Sequence, residues 1–87
     1  MQLLVTYTTP NPAAFHAAYE TAVESRSAAG LTQLQLWQDA DDPTRTLALY
    51  TVNSRKKADD WLTTARAGLG LDGATLTAAT YLTIAGM

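Results

Sequence analysis

Residues 31–52 read LTQLQLWQDADDPTRTLALYTV and decide the fold. Side chains alternate in both halves of this stretch with the period of two that a β-strand imposes. The alternating positions are Leu34 and Leu36 against Gln33, Gln35 and Trp37 in the first half, and Leu47 and Leu49 against Ala48, Tyr50 and Val52 in the second. Between the halves, Pro43 suits the first central position of a type I turn. The sequence therefore predicts an antiparallel hairpin.

A helix is predicted on each side of this hairpin. The first begins at Pro12 after the capping residue Asn11 and ends before Gly30. The second is capped by Ser54 and ends at Gly68. Apolar residues recur at helical spacing in both segments. These positions are Phe15, Ala18, Tyr19, Ala22 and Val23 in the first helix, and Ala58, Trp61, Leu62 and Ala65 in the second.

Two outer strands complete the predicted domain. Residues 2–9 and 75–85 are rich in the β-branched and aromatic residues that strands favour. The element order is then βαββαβ, which predicts one α+β, ferredoxin-like domain over residues 1–87. Right-handed crossovers place the four strands in one antiparallel sheet of order 4-1-3-2, with both helices on one face.

A partner subunit is predicted because nothing within the chain covers the second face of that sheet. Both faces of the strands carry large side chains, whereas a sheet with one face in water has a polar outer face. Charged residues make up only 16 % of the chain, against about 25 % in typical domains. With no cysteine and one histidine, the 87 residues have little other means of stabilising a small core. We therefore predict a homodimer.

Charge and hydropathy argue against two classes of partner. The formal net charge of −2 and the pI of about 5.0 do not suit a nucleic-acid surface. No run approaches the roughly 18 apolar residues of a membrane span, and the first residues lack the basic start of a secretory signal. The sequence predicts a cytoplasmic protein that binds neither nucleic acid nor membrane.

Two segments suggest ligand-binding motifs but lack what those motifs require. Residues 68–73 read GLGLDG, yet a dinucleotide-binding loop follows a strand and opens a helix, and this one follows a predicted helix. Asp39, Asp41 and Asp42 lack the central glycine and closing glutamate of a calcium loop, and Arg45 can neutralise one of them. We predict a plain connection, a solvated turn, and neither metal nor cofactor.

His16 is the weak candidate for a catalytic residue. It is the only histidine, and Glu20 follows one helical turn later, where it can orient the imidazole. His16 then acts as a general base or as a hydrogen-bond donor to substrate. The alternative is a histidine at the boundary of the apolar stripe with no chemical role, because no serine or cysteine motif accompanies it.

Cations stand at two helix ends. Arg26 lies in the last turn of the first predicted helix, where a positive charge suits the helix dipole. Arg55, Lys56 and Lys57 open the second helix, where they oppose the dipole. This basic cluster is either an anion site that uses free helix N–H groups or a patch that aids solubility.

Aromatic residues are the candidates for ligand binding. Most of them belong by default to the core or to an interface. A minority can line a pocket for a flat organic molecule, because tyrosine and tryptophan place a polar tip in an apolar cavity. The predicted substrate-binding residues are Tyr7, Tyr50, Trp61 and Tyr81.

Residues 30–62 resemble the antibiotic biosynthesis monooxygenase family of the dimeric α+β barrel superfamily. The resembling features are Gly30 before a strand, the turn at residues 41–45, the strand at residues 47–50, and Ser54 opening a helix that contains Ala58 and Trp61. The resemblance implies two sheets packed face to face in a dimer, with a pocket between sheet and helices in each subunit. Some relatives oxidise polycyclic phenols without metal or flavin, and others degrade haem.

Two departures from the family pattern bear on chemistry. The family glutamate of the third strand is missing where this chain reads Thr51-Val52-Asn53, and Thr63 and Thr64 stand in the second helix where a histidine often occurs. Both argue against haem degradation. Two hypotheses follow: a cofactor-independent, monooxygenase-like enzyme for a small aromatic or polycyclic compound, or a non-catalytic module of the same fold for small-molecule binding or assembly. The side chains that line a pocket distinguish them.

Overall fold

The structure is a computed structural model that describes residues 1–68 and 73–85. In this part of the chain the elements are β1 (Gln2–Thr8), α1 (Pro12–Thr21), α2 (Val23–Ala28), β2 (Leu31–Gln38), β3 (Arg45–Val52), α3 (Arg55–Arg66) and β4 (Thr75–Leu82). The strands form one antiparallel sheet of order β2-β3-β1-β4. The predicted strand order, counted from the other edge, and the α+β ferredoxin-like fold class are confirmed.

The predicted caps mark the start of α1 and both ends of α3. The Asn11 side chain accepts a hydrogen bond from the Ala14 N–H, and Ser54 Oγ accepts one from the Lys57 N–H. α3 ends before Gly68, whose φ of +83° is the left-handed conformation that favours glycine. Residues 69–72 of the GLGLDG segment lie outside the described residues. Among the described helices, none is long and apolar enough to cross a membrane.

The first predicted helix is in fact two helices that meet at Ala22. Ala22 has φ −90° and ψ 11°, and the Tyr19 carbonyl, one turn before the break, accepts a hydrogen bond from Arg26 Nη1 at 2.8 Å. The break changes which side chains face the sheet. Arg26 is buried, with 7 % of its surface exposed, whereas Val23 is 56 % exposed. The predicted place of Val23 in the inner apolar stripe was therefore wrong.

The core lies between the helices and one face of the sheet. Leu3, Val5 and Tyr7 of β1 point into it beside Ala48 and Tyr50 of β3. All five are buried. Tyr50 contacts Tyr19 of α1 through its hydroxyl and Trp61 of α3 through its ring, so the helices cover the same face.

A β-bulge in β2 changes the face that part of this strand presents. The pairing of β2 with β3 shifts between Gln33 and Gln35, which takes Leu34 out of the regular alternation. Gln33 lies opposite Tyr50, and Leu36 lies opposite Ala48, so both face the helices. The predicted placement of these two residues on opposite faces was wrong, because the extra residue reverses the alternation between them.

The second face of the sheet carries an apolar cluster, here called the open face. The pairing registers place six apolar residues there, Leu4, Trp37, Leu47, Leu49, Ala78 and Leu82, with the polar Thr6, Gln35 and Thr80 among them. Trp37 is 44 % exposed and Leu82 37 % exposed. Arg45 is the one charged residue among the strand positions that share this face, and it pairs with Asp39 at 3.2 Å. All three described helices lie on the other side.

The turn between β2 and β3 uses its carboxylates to fix its own backbone. Asp39 Oδ1 accepts hydrogen bonds from the N–H groups of Asp41 and Asp42, and Asp42 Oδ1 accepts one from the Thr44 N–H. The bond from the Asp41 N–H is the main cause that holds the pKa of the Asp39 carboxyl below its usual value. The predicted solvated turn, with Arg45 beside Asp39, is confirmed.

Candidate functional site

An open cleft of about 310 Å³ lies where α1 and α2 meet β2. Its wall includes His16, Tyr19 and Glu20 of α1, Arg26 of α2, and Gln33 and Leu36 of β2. A neighbouring cleft of about 270 Å³ shares Val23, Arg26 and Gln33 with it. Small-molecule sites begin at about 300 Å³ and combine apolar walls with a few polar groups, and this cleft fits that description.

Three tyrosine hydroxyls join the core to the cleft wall. The Tyr7 and Tyr50 hydroxyl oxygens are 3.1 Å apart, and those of Tyr50 and Tyr19 are 2.8 Å apart. Tyr19 donates its own proton to Gln33 Oε1. Because each hydroxyl has one proton, Tyr50 donates to Tyr19 and Tyr7 donates to Tyr50. This tyrosine chain (Tyr7, Tyr50 and Tyr19) therefore ends on Gln33 in the cleft.

The tyrosine chain is neutral at ordinary pH. Burial raises the pKa of the Tyr7, Tyr19 and Tyr50 hydroxyls, and at Tyr50 the two neighbouring tyrosines raise it further. These hydroxyls act as hydrogen-bond donors and not as bases. Their chemical effect at the cleft is to fix the Gln33 carbonyl, so the amide NH₂ of Gln33 is free to donate elsewhere.

Arg26 places a positive charge in the same wall. Its guanidinium carbon lies 3.7 Å from the centre of the Tyr19 ring, and its Nη1 donates to the Tyr19 carbonyl at 2.8 Å. Within residues 1–68 and 73–85, no carboxylate oxygen lies within 4.0 Å of it. Cation–π contact and one hydrogen bond thus hold a buried guanidinium that has no counter-ion in the described structure.

The structure separates the predicted site residues into four places. His16 lines the cleft. Tyr7 and Tyr50 are brought together, but both rings are buried behind Tyr19 and neither lines the cleft. Trp61 packs edge-on against Tyr50, with 6.1 Å between the ring centres, and faces a flatter depression of about 340 Å³ between α2 and α3. Their roles in ligand binding stay predictions.

Tyr81 lies apart from the other predicted site residues. Its hydroxyl donates to Asp59 Oδ1 at 2.5 Å, and the Arg55 guanidinium lies 4.2 Å from the centre of its ring. Lys56 of the same basic cluster pairs with Asp60 at 3.6 Å. Two of the three cations that open α3 are therefore engaged in local contacts.

Sequence reasoning missed three residues of the cleft wall as site residues: Tyr19, Arg26 and Gln33. The sequence placed Tyr19 in the apolar stripe and Arg26 in the last turn of the first helix. It placed Gln33 on the sheet face opposite Leu36. One signal was available. His16, Tyr19, Val23 and Arg26 are spaced by three, four and three residues, which places a histidine, a tyrosine and an arginine along one helical face.

Tyr7, Tyr19 and Tyr50 are expected to resist ionisation until the domain unfolds, because burial raises the pKa of each. Tyr81 is partly exposed, so its pKa, which burial and then the hydrogen bond to Asp59 raise to about 12, is not tied to unfolding. A folded pKa above the unfolded value of about 10 gives stability that is fully present below pH ~10 and is lost as the pH rises further. Tyrosinate absorbance and far-ultraviolet circular dichroism should therefore change together above pH ~10. Ionisation near pH ~10 with unchanged dichroism contradicts the tyrosine chain.

Comparison with known proteins finds similarity in solved structures and not in sequence. No protein-family model matches the chain, and no curated protein matches it by sequence. The solved structure of an antibiotic biosynthesis monooxygenase-like protein from Nitrosomonas europaea superposes with a TM-score of 0.58 and 22 % identity, over 87 % of this chain and 85 % of that chain. The two proteins share one fold. The predicted likeness to the antibiotic biosynthesis monooxygenases is confirmed at the level of the fold, an α+β ferredoxin-like arrangement.

Proposed function

We propose that this protein binds a small aromatic or polycyclic phenol in the cleft between α1, α2 and β2 and oxidises it with O₂, without metal or flavin. One observation carries the proposal: a candidate base, a buried cation and the end of a fixed hydrogen-bond chain meet in one cleft, at His16, Arg26 and Gln33. Convergent polar groups on a partly apolar wall are typical of small-molecule sites. The fold of a monooxygenase-like protein adds support.

The proposed reaction balances without an external reductant. A fused-ring phenol with a free C–H opposite its hydroxyl reacts with one O₂ and gives a quinone and one water. One oxygen atom of O₂ forms the new carbonyl, and the other leaves as water with the phenolic hydrogen and the ring hydrogen. The substrate supplies all four electrons that O₂ requires. The protein needs only to bind the phenol, remove its proton and stabilise the anion.

Each of these tasks has a candidate residue in the cleft. His16 takes the phenolic proton as general base. The Arg26 guanidinium stabilises the resulting phenolate, since a fixed charge in a partly buried site acts more strongly than in water. Gln33, held by the tyrosine chain, offers its free amide N–H to a second substrate oxygen.

The proposal includes a homodimer formed through the open face. Apolar side chains lie side by side across that face: Leu4 is paired with Leu49, and Trp37 with Leu47. A sheet face in contact with water is normally polar, so an apolar one favours a partner. The proposed partner is a second copy of this chain, because a twofold axis packs the open face of one subunit against the open face of the other.

Oxygen uptake tests the proposed chemistry. Naphthol and larger fused-ring phenols are incubated with the protein in air-saturated buffer, and O₂ consumption is followed with an electrode while quinone absorbance is recorded. We expect one quinone formed for each O₂ consumed, with no effect of added catalase because no hydrogen peroxide is released. Uptake no faster than in buffer across the series contradicts the oxygenase proposal. Saturable binding without turnover identifies the alternative, a non-catalytic binding module.

A further inference from the structure

We infer that the cleft selects an anionic aromatic ligand, whose oxyanion is bound by the Arg26 guanidinium. The inference rests on the proposed function in one respect, namely that an aromatic molecule occupies this cleft. It adds the charge of that molecule: a carboxylate or an ionised phenol and not a neutral ring.

The burial of Arg26 is the first observation behind this inference. With 7 % of its surface exposed, Arg26 has lost most of its water. Burying a charge is costly unless it is paired. The stacking on Tyr19 and the bond to the Tyr19 carbonyl compensate only part of this cost. A negative ligand supplies the missing counter-charge.

The unused donors of Arg26 are the second observation. A guanidinium has five N–H groups, and the described residues accept a hydrogen bond from only one of them, at the Tyr19 carbonyl. The planar fork of the remaining donors matches the two oxygens of a carboxylate, or the single oxygen of a phenolate together with a second acceptor. Both clefts are bounded by Arg26, so its side chain lies beside the space that a ligand can enter.

The other charged groups of the cleft do not cancel this preference. Among the described residues that line it, Glu20 is the one carboxylate, and it is exposed at the rim, where water and salt screen it. His16 and the Gln33 amide add further hydrogen-bond donors. Leu36 and the Tyr19 ring offer an apolar wall for a flat ring. The cleft wall therefore combines one buried cation and several hydrogen-bond donors with an apolar surface.

Matched pairs of ligands test the inference on the unmodified protein. Titration calorimetry at neutral pH compares naphthoate with its neutral counterpart naphthamide, and an ionised hydroxynaphthoquinone with its neutral methyl ether. We expect each anion to bind at least about tenfold more tightly than its neutral match. The anion that binds more tightly shows whether the cleft prefers a carboxylate or a phenolate.

Two arginine variants test whether Arg26 causes the preference for anions. Arg26→Gln is expected to weaken naphthoate at least about tenfold and naphthamide less than about twofold. Arg66→Gln changes the net charge equally at an exposed position of α3 and should leave both affinities unchanged. If Arg26→Gln does not fold, as judged by circular dichroism, Arg26→Lys keeps the charge, loses the fork and should weaken naphthoate more than naphthamide.

The outcomes separate the two proposals. Equal binding of naphthoate and naphthamide to the unmodified protein overturns the anion preference and leaves the aromatic site in place. A preference that survives Arg26→Gln overturns the role of Arg26. If no aromatic compound binds, both the inference and the proposed function fail.

Discussion

Replacing His16 with alanine is expected to lower the rate of phenol oxidation by about 10²–10⁴-fold, the range typical of a general base. His16 is the one imidazole of the chain and lines the cleft beside Tyr19, Glu20 and Arg26. The tyrosine hydroxyls cannot replace it, because burial raises the pKa of Tyr19 and keeps it protonated. Alanine removes the base and leaves the Arg26 charge in place. The initial rate of quinone formation at saturating phenol measures the effect.

Two controls show whether the lower rate reflects loss of the base and not loss of binding or of structure. Glu24→Ala alters an exposed position of α2 that does not line the cleft, and its rate should equal that of the unmodified protein. Naphthoate should still bind to His16→Ala within about threefold, a shift of well under 1 kcal/mol, because its charge contact is with Arg26. A His16→Ala protein that oxidises phenols at the full rate removes His16 from the mechanism.

Leu49→Glu is expected to convert the proposed dimer into a folded monomer. Leu49 lies on a central strand of the open face, opposite Leu4, and is half-buried already in the single chain. In a twofold dimer each copy adds one glutamate to the interface. A buried charge that is left without a partner costs about 3–5 kcal/mol. The dissociation constant should therefore rise at least about a hundredfold.

Sedimentation equilibrium over a range of concentrations measures this shift. Thr63→Glu adds the same charge at an exposed position of α3, on the helix side of the molecule, and should leave the dimer intact. The circular dichroism of Leu49→Glu should stay that of a folded α+β domain, because in one chain the glutamate points toward water. An unmodified protein that is monomeric at micromolar concentration contradicts the proposed interface.

The strand order was predictable because local signals agreed with each other. The alternation in residues 31–52 marks two strands that the structure contains. Asn11 and Ser54 mark the starts of α1 and α3, and Gly68 marks the end of α3. Once the order βαββαβ is known, the handedness of the crossovers leaves one sheet order. None of these steps requires knowledge of distant contacts.

The cleft was not predictable in the same way, because non-local contacts build it. The helix break at Ala22 accompanies the bond between Arg26 and the Tyr19 carbonyl, and together they turn Arg26 inward. The bulge in β2 turns Gln33 toward Tyr19, fourteen residues earlier in the chain. A period-two pattern cannot reveal a bulge, since one inserted residue reverses the face without changing composition.

The aromatic residues show the limit of residue type as a guide. Tyr7, Tyr50, Trp61 and Tyr81 were predicted to bind substrate on the ground that aromatic tips suit a pocket. In the structure the Tyr7 hydroxyl donates to Tyr50 inside the core and Tyr81 donates to Asp59 at the α3 side, while their roles in ligand binding stay predictions. A buried hydroxyl needs a partner, and the nearest partner here is another tyrosine. Tyr19, at the end of that chain, is the tyrosine that reaches the cleft.

The position of a bound aromatic molecule is the most direct test of the proposed site. Backbone amide resonances of the ¹⁵N-labelled protein are followed by NMR while naphthol is added to saturation. We expect the largest shifts along the cleft wall, at His16, Arg26, Gln33 and Leu36. Saturable shifts confined to α3 and β4 around Asp59 and Tyr81, with the cleft wall unchanged, would place the ligand elsewhere and contradict the assignment.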